Sequence, residues 1–367
     1  MGRWVSLHAP PNGKSSPRGG KRMSLLMDAL AGAYTPIAPI WIMRQAGRHL
    51  PEYRALKERY DFWTLARTPE LTTEVTLQPV RRYGMDGAIV FSDIMTPLPA
   101  MGINLSFAPG PILHQPIRSR AMVDALRIPH EEEVAPFLAE ALALLRRELD
   151  GSHGSPALLG FAGAPLTLAT YAIEGSGSKE YATFRAFLRA DPESAHALLD
   201  KLTETTVRYV RMQVAAGAQA VQLFDSWAGL HDARTYRTFG AHYARKVLDA
   251  TADLGVPRLY LALDAAHLER DVAALPAEAL SVDWRRPLGV WRDTAPGKVL
   301  QGNLDPAALL APREVLIEEA QRVLREGQGG AHVFNLGHGI FKETDPDAVA
   351  LLVDTVRSFD RHAREEA

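Results

Sequence analysis

Two arginines, Arg44 and Arg48, lie within five residues of one another, and only Gln45, Ala46 and Gly47 separate them. A guanidinium group can bind a carboxylate through two parallel hydrogen bonds, and it keeps its charge when it is partly buried. Two such groups at this spacing can face one anionic ligand. The alternative is that each arginine forms its own salt bridge on the surface.

Asp93 is a second residue whose type and surroundings could support binding or catalysis. It follows the apolar run that ends at Phe91-Ser92 and precedes Ile94-Met95, so its carboxylate lies in apolar surroundings. A carboxylate that is removed from water needs hydrogen-bond donors. These donors are either the backbone N–H groups of a helix cap, which is a structural role, or the N–H groups of a ligand.

His338 is flanked on both sides by glycine, at Gly337 and Gly339. Glycines at these positions let the backbone approach a ligand closely, because they have no Cβ atom. The alternative is a loop histidine whose ring is hydrogen-bonded to the backbone.

Eight short apolar runs recur along the chain and indicate the elements that position these residues. They are mostly continuous rather than alternating, as is typical of parallel strands buried on both faces. The predicted strands are Ala38–Met43, Ala88–Phe91, Ala157–Phe161, Ala220–Phe224, Arg258–Leu263, Leu280–Val282, Val299–Gln301 and His332–Asn335.

Amphipathic stretches separate the apolar runs, and several begin with a cap residue followed by proline, as at Asp191-Pro192 and Asp345-Pro346. This alternation predicts an α/β protein with a single (β/α)8 TIM-type barrel over residues 23–367. An open doubly wound sheet is the second choice. The predicted helices include Thr68–Tyr83, Glu131–Leu149, Pro192–Ala216, Thr235–Leu254, Pro306–Arg325 and Pro346–Phe359, with a stunted helix between Asp283 and Lys298.

Polar residues follow nearly every predicted strand. Barrel enzymes place their chemistry at the carboxyl ends of the strands, so these residues are expected to meet at one opening, the mouth of the barrel. The alternative is that strand ends are polar only because they are solvated. The residues concerned are Arg44, Arg48, Ser92, Asp93, Tyr171, Asp225, Ser226, Trp227, Asp264, His267, Asp283, Trp284, Asn303 and His338.

The composition excludes several classes of function. The chain of 367 residues has no cysteine, which excludes disulfides, thiolate zinc sites, iron–sulfur clusters and cysteine nucleophiles, and fits a reducing compartment. Its net charge of −2 lacks the basic excess of a nucleic-acid-binding protein. Two stretches without charged side chains, 94–117 and 151–173, contain prolines and glycines that argue against membrane helices.

Residues 1–22 differ from the remainder of the chain. They are rich in proline, glycine and basic residues, and they lack the apolar core of a signal peptide. Such a composition cannot bury enough surface to become ordered, so it predicts a disordered tail. An over-extended start, with Met23 as the natural first residue, and a targeting role are the alternatives.

The residues described above occur within longer motifs. In order along the chain, these are Pro39–Arg48 with Leu50–Tyr53, Phe91–Ile94, Gly160–Pro165 continuing to Gly175, Phe224–Gly229, Val282–Trp284, Gln301–Pro306 and Asn335–Gly339. Together they resemble the uroporphyrinogen decarboxylase family, over roughly residues 24–360. The chain departs from the family pattern at His49, at Leu166 and at the fifth strand end, 261–267.

The resemblance implies a cytoplasmic, homodimeric carboxy-lyase of porphyrin and haem biosynthesis that needs no cofactor and no metal. Its reaction converts the four acetate side chains of uroporphyrinogen III to methyl groups, giving coproporphyrinogen III and CO2. By the same resemblance, the catalytic residues are Asp93, Arg44, Arg48, Tyr171 and His338. The implied substrate-binding residues are Arg44, Gln45, Ala46, Gly47, Arg48, Asp93, Tyr171, Ser226 and His338.

The implied chemistry is consistent with the residues. A substrate with eight carboxylates requires locally concentrated positive charge, and a carboxylate against the pyrrole N–H groups would stabilise a protonated ring that serves as the electron sink. Two other functions are considered. A cobalamin-linked methyltransferase of the same fold typically uses cysteine ligands to zinc, which this chain lacks. A tetrapyrrole-binding protein without activity would not need Arg44, Arg48, Asp93 and Tyr171.

Overall fold

A computed structural model describes residues 24–107, 110–150 and 156–361 of the chain. Seven parallel strands form one sheet in the order β1-β4-β5-β6-β7-β8-β9, and β2 and β3 form a separate antiparallel hairpin. The strands are β1 (Gly87–Ile89), β2 (Leu105–Phe107), β3 (Pro111–Leu113), β4 (Ala157–Gly163), β5 (Ala220–Asp225), β6 (Arg258–Ala262), β7 (Ala279–Ser281), β8 (Val299–Leu304) and β9 (His332–Leu336).

The α/β barrel prediction is confirmed, because the strands of the main sheet follow one another without the reversal that defines a doubly wound sheet. The eighth position lies between β9 and β1 and is occupied by residues 38–43. The Phe334 N–H donates to the Pro39 carbonyl and the Asp86 N–H donates to the Ile40 carbonyl, each at 2.8 Å. The barrel is therefore a ring of seven strands and one bridging segment.

The prediction of a regular strand over Ala38–Met43 is wrong, since only the bridge between Ile40 and Phe334 forms there. Pro39 has no N–H group for a strand ladder. The N–H groups of Ile40, Ile42 and Met43 instead donate to side-chain oxygens, which belong to Asp86, Gln45 and Asn335. Side-chain oxygens accept these N–H groups, whereas in a regular strand the backbone carbonyls of neighbouring strands would accept them.

Helices surround the sheet and connect its strands, as parallel pairing requires. The helices are α1 (Leu25–Leu30), α2 (Pro51–Lys57), α3 (Phe62–Arg67), α4 (Pro69–Tyr83), α5 (Arg120–Ala125), α6 (Pro136–Leu149), α7 (Pro165–Glu174), α8 (Ala182–Ala190), α9 (Pro192–Ala215), α10 (Ala233–Thr235), α11 (His242–Ala250), α12 (Glu269–Ala273), α13 (Leu288–Thr294), α14 (Arg313–Gly327) and α15 (Pro346–Ser358). Short 3-10 helices occupy Leu98–Met101, Glu131–Glu133, Ala228–Leu230, Ala252–Leu254, Ala266–Leu268 and Pro306–Leu310.

The stunted helix between Asp283 and Lys298 is confirmed as α13. The continuous helix predicted over Thr235–Leu254 is wrong. A π-helix at Tyr236–Ala241 interrupts it, where Gly240 lies against the Tyr236 ring, and a 3-10 turn ends it. The helix predicted from Pro306 is likewise divided, because Pro312 separates the first turn from α14.

The described parts of the uncharged stretch 94–117 include a 3-10 turn and the paired strands β2 and β3. None of the helices in the described ranges is both long enough and apolar enough to cross a membrane. The predicted tail, residues 1–22, and the first five residues of the second uncharged stretch, 151–155, lie outside the described residues.

Candidate active site

Gln45 fixes the loop that carries Arg44 and Arg48 through hydrogen bonds to the backbone. The Gln45 side chain is 1% exposed. Its Oε1 accepts from the Ile42 N–H and its Nε2 donates to the Gly87 carbonyl, both at 2.9 Å. Both polar ends of this side chain are therefore engaged with the backbone, and Gln45 positions the loop rather than offering its amide to a ligand.

Arg44 and Arg48 are both exposed, and neither has an ion-pair partner among the described residues. The alternative of two separate surface salt bridges is therefore not found. Arg44 has a left-handed backbone with φ of 63°. The partly exposed Ala46 and Gly47 complete the turn, and a Cβ atom on Gly47 would lie 3.0 Å from the Arg44 carbonyl oxygen.

Asp93 lies beyond the carboxyl end of β1 and has one oxygen in use. Its Oδ1 accepts from the Met95 N–H at 2.9 Å, and its own N–H donates to the Thr96 hydroxyl at 3.3 Å. Among the described residues no group donates to its Oδ2. Burial raises the pKa of Asp93, whereas the Met95 N–H and the charge of Arg44 oppose this rise. One oxygen of Asp93 therefore caps a turn, as the structural interpretation expects, and the other is open, so that binding of ligand N–H groups stays a prediction.

His338 lies between two closely packed glycines. A Cβ atom on Gly339 would overlap the Arg44 side chain, and one on Gly337 would lie 2.6 Å from the Trp284 backbone nitrogen. Burial lowers the pKa of His338 to about 4, and the charges of Arg44 and Arg285 act in the same direction. The imidazole is therefore neutral at pH 7. The ring has no hydrogen-bond partner in the described part of the chain. The alternative of a loop histidine hydrogen-bonded to the backbone is therefore not found.

Tyr171 extends from α7 into an aromatic cluster, with its ring centroid 6.0 Å from that of Trp227 and 6.1 Å from that of Tyr181. Burial raises the pKa of Tyr171, the charge of Asp93 adds to this rise and the charge of Arg44 opposes it. The phenol therefore remains protonated near neutral pH. Ser226, directly after β5, is half-buried, and its hydroxyl has no partner among the described residues.

The structure thus brings four of the predicted residues together at the mouth. The Arg44 guanidinium acts electrostatically on Asp93, Tyr171 and His338, which lie after β1, in α7 and after β9. Arg48 lies at the other end of its loop, where its charge opposes the rise that burial causes in the pKa of Tyr53. The mouth therefore combines positive charge, an open carboxylate and two neutral donors.

Two groups have no catalytic or binding role assigned from the sequence, although Asp225 is among the polar residues expected at the mouth. Asp225 is fully buried, and its oxygens accept from the hydroxyls of Thr167 and Tyr260, each at 2.7 Å. Arg285 follows the sixth predicted strand directly after Asp283-Trp284, and its charge helps burial to lower the pKa of His338. Arg285 could have been recognised as a candidate from the sequence, because it directly follows the polar strand end Asp283-Trp284. No local signal pairs Asp225 with its distant donors.

Metal binding has no evident site in the described ranges, where no three histidine, aspartate or glutamate side chains are grouped to hold an ion. The mouth can instead hold anionic groups through its guanidiniums and N–H donors through Asp93. An α/β barrel with such a mouth defines a barrel enzyme that acts on an anionic substrate.

Comparison with known proteins assigns the family. Residues 21–359 match the family model described as uroporphyrinogen decarboxylase (URO-D), and the chain belongs to this family. Uroporphyrinogen decarboxylase from Syntrophotalea carbinolica is 44% identical over 332 residues, which is 90% of this chain and 96% of that protein. The protein of the same name from Carboxydothermus hydrogenoformans is 43% identical over 336 residues, covering 90% and 95%.

Solved structures confirm the fold. A methyltransferase from Methanosarcina mazei superposes with a TM-score of 0.73 at 19% identity, over 90% of this chain and 96% of the other. A B12-independent methionine synthase from Shewanella sp. W3-18-1 gives a TM-score of 0.54 at 8% identity, over 89% and 94%. At these identities the similarity concerns the fold alone.

Proposed function

We propose that this chain decarboxylates the four acetate side chains of uroporphyrinogen III to methyl groups, forming coproporphyrinogen III and CO2. Membership of the uroporphyrinogen decarboxylase family supports the reaction. The observation that carries the assignment to the mouth is the open Oδ2 of Asp93 in the field of Arg44.

The proposed chemistry uses the substrate as its own electron sink. Protonation of a pyrrole ring creates a cation that accepts the electron pair of the breaking C–C bond, and CO2 leaves. A proton then replaces CO2 on the side-chain carbon, and the ring loses its extra proton. Asp93 accepts hydrogen bonds from the pyrrole N–H groups and stabilises the cation, which is electrostatic catalysis by a fixed charge.

The remaining residues bind and orient the macrocycle. Arg44 and Arg48 bind side-chain carboxylates, since each is exposed and without an ion-pair partner among the described residues. Neutral His338, Tyr171 and the Ser226 hydroxyl donate hydrogen bonds without adding charge next to the protonated ring. Ala46 and Gly47 form the wall of the loop, and Gln45 holds that loop in place.

Three finer parts of the proposal rest on the resemblance and on composition. Residues 23–367 act as one domain, and residues 1–22 take no part in the reaction. The protein works in the cytoplasm, in line with its lack of cysteine. It forms a homodimer, which sedimentation of the purified protein would show directly as twice the chain mass.

Anaerobic incubation with uroporphyrinogen III tests the function. The mass of the tetrapyrrole should fall in successive steps until four carboxyl groups are lost, without any added cofactor. Binding with no loss of mass would instead indicate a tetrapyrrole-binding protein. Activity that required cobalamin and zinc and transferred a methyl group would support a methyltransferase, whose fold this chain shares.

A further inference from the structure

The carboxyl ends of β6 and β7 are joined by Asp283, which is 5% exposed. Its carboxylate accepts from the backbone N–H groups of Asp264 at 2.6 Å and Arg285 at 2.9 Å. The Arg285 guanidinium also donates to it, with a distance of 3.1 Å. Three donors thus satisfy the Asp283 charge and fix the backbone of both strand ends.

The Arg285 side chain extends from the strand end whose backbone Asp283 fixes. Its guanidinium carbon lies 4.3 Å from the centre of the Trp284 ring, and its Nε lies 3.1 Å from Oδ1 of Asp264. Asp264 is exposed, and its backbone is left-handed with φ of 57°. The second terminal nitrogen of Arg285 has no partner among the described residues. Arg285 is therefore held partly by a carboxylate that is itself open to solvent.

The glycines around His338 locate Arg285 relative to the mouth. Gly339 packs on Arg44, and Gly337 packs on the backbone and ring of Trp284, which carries the Arg285 guanidinium on its face. His338 consequently lies between two guanidinium groups that belong to different walls. Burial is the main cause of the lowered pKa of His338, and the charges of Arg44 and Arg285 lower this pKa further, in agreement with this position.

We propose that Arg285 is a third carboxylate-binding guanidinium of the mouth, and that Asp264 occupies it until a carboxylate of the substrate takes its place. The inference rests on the proposed function and adds a recognition residue beyond β7, apart from the loop that carries Arg44. A macrocycle with carboxylates around its whole rim needs positive charge on more than one wall. Asp264 is the group that a substrate carboxylate replaces, because it is exposed whereas Asp283 is buried and saturated.

Removal of each partner should change substrate binding in opposite directions. Arg285→Gln should raise the KM for uroporphyrinogen about tenfold or more, the worth of one charged hydrogen bond, with kcat little changed. Asp264→Asn should lower KM about two- to fivefold, because an exposed ion pair is no longer in competition. Asparagine tolerates the left-handed backbone. In the Arg285→Gln background, Asp264→Asn should have no effect on KM.

Arg286→Gln is the matched control. Arg286 is the next residue, its side chain is 41% exposed against 39% for Arg285, and it pairs with Glu269 at 2.9 Å. This variant should leave KM unchanged. An equal KM for Arg285→Gln and Arg286→Gln, or a raised KM for Asp264→Asn, would overturn the inference while the proposed function stands.

Two further measurements separate this inference from the function itself. Anaerobic binding of uroporphyrinogen gives dissociation constants that should follow the same order even if the wild-type protein shows no turnover. In the free protein, NMR titration of His338 should show a higher pKa in Arg285→Gln than in Arg286→Gln, because the charge of Arg285 acts on the ring and that of Arg286 does not. No difference between these two variants would place Arg285 away from the mouth.

Discussion

Asp93 follows the buried strand β1, Asp225 is the last residue of the buried strand β5 in the same sheet, and in both cases burial raises the pKa of the carboxyl group. Their hydrogen bonds differ. The oxygens of Asp225 are occupied by the hydroxyls of Thr167 and Tyr260, and Tyr260 is in turn bonded to Tyr236 at 2.8 Å. Asp93 has one backbone donor and an open Oδ2.

The comparison shows that a perturbed pKa alone does not identify a catalytic carboxylate. Desolvation acts on both groups, but the donors around Asp225 come from the protein, whereas Oδ2 of Asp93 has no donor among the described residues and is open to a ligand. Asp225 instead holds the turn that follows β5, because Thr167 also accepts from the Trp227 N–H at 3.2 Å. In the proposed mechanism, Asp225 supports the site and Asp93 acts in it.

The largest expected effect is that of Asp93→Asn. Turnover should fall roughly 10²–10³-fold or more, because the charge that stabilises the protonated pyrrole is removed. The melting temperature should change little, since the asparagine oxygen can still accept from the Met95 N–H. Steady-state rates and thermal melting test this together, with Asp225→Asn as the control. An active, destabilised Asp93→Asn protein would reduce Asp93 to a turn cap.

Asp93→Glu tests position instead of charge. The carboxylate moves by about one C–C bond, and a displacement near 1 Å can lower a rate about a hundredfold. We therefore expect a strongly impaired but folded enzyme. The kcat of this variant is the relevant quantity, and a value close to that of the wild type would show that the charge need not be fixed.

Arg44→Lys tests whether Arg44 acts only through its charge or also through its paired N–H donors. Lysine keeps the charge that acts on Asp93 but cannot present two parallel N–H groups to a carboxylate. We expect kcat/KM to fall about tenfold to a hundredfold, which corresponds to the loss of one charged hydrogen bond. Unchanged kcat/KM would make Arg44 a peripheral charge.

Asp225→Asn should alter pH-dependent stability more than turnover. The folded protein holds the pKa of Asp225 at about 6, above the ordinary value of 3.8, so it binds more protons than the unfolded chain between these values. Wild-type stability should therefore fall as pH rises from about 4 to 6. Urea unfolding across this range should show less loss in Asp225→Asn, and identical slopes would contradict the assignment.

The sequence predicts the barrel and the position of the mouth because continuous apolar runs and polar strand ends are local features. It does not reveal that residues 38–43 form a bridging segment, since Asp86 and Asn335, which take two of their N–H groups, are distant in sequence. It also cannot separate Asp93 from Asp225, because the donors of Asp225 lie 58 and 35 residues away. The hydrogen-bond donors around each carboxylate can be counted only in the folded structure.

The most direct test is anaerobic equilibrium binding of coproporphyrinogen III, which carries no acetate to lose, compared with its oxidised porphyrin. The porphyrinogen can dome until four N–H groups face Asp93, whereas the planar porphyrin has two inner N–H groups. Wild type and Asp225→Asn should prefer the reduced ring by about tenfold or more, and Asp93→Asn should lose that preference. A preference that survives intact in Asp93→Asn would contradict the role assigned to the open carboxylate oxygen.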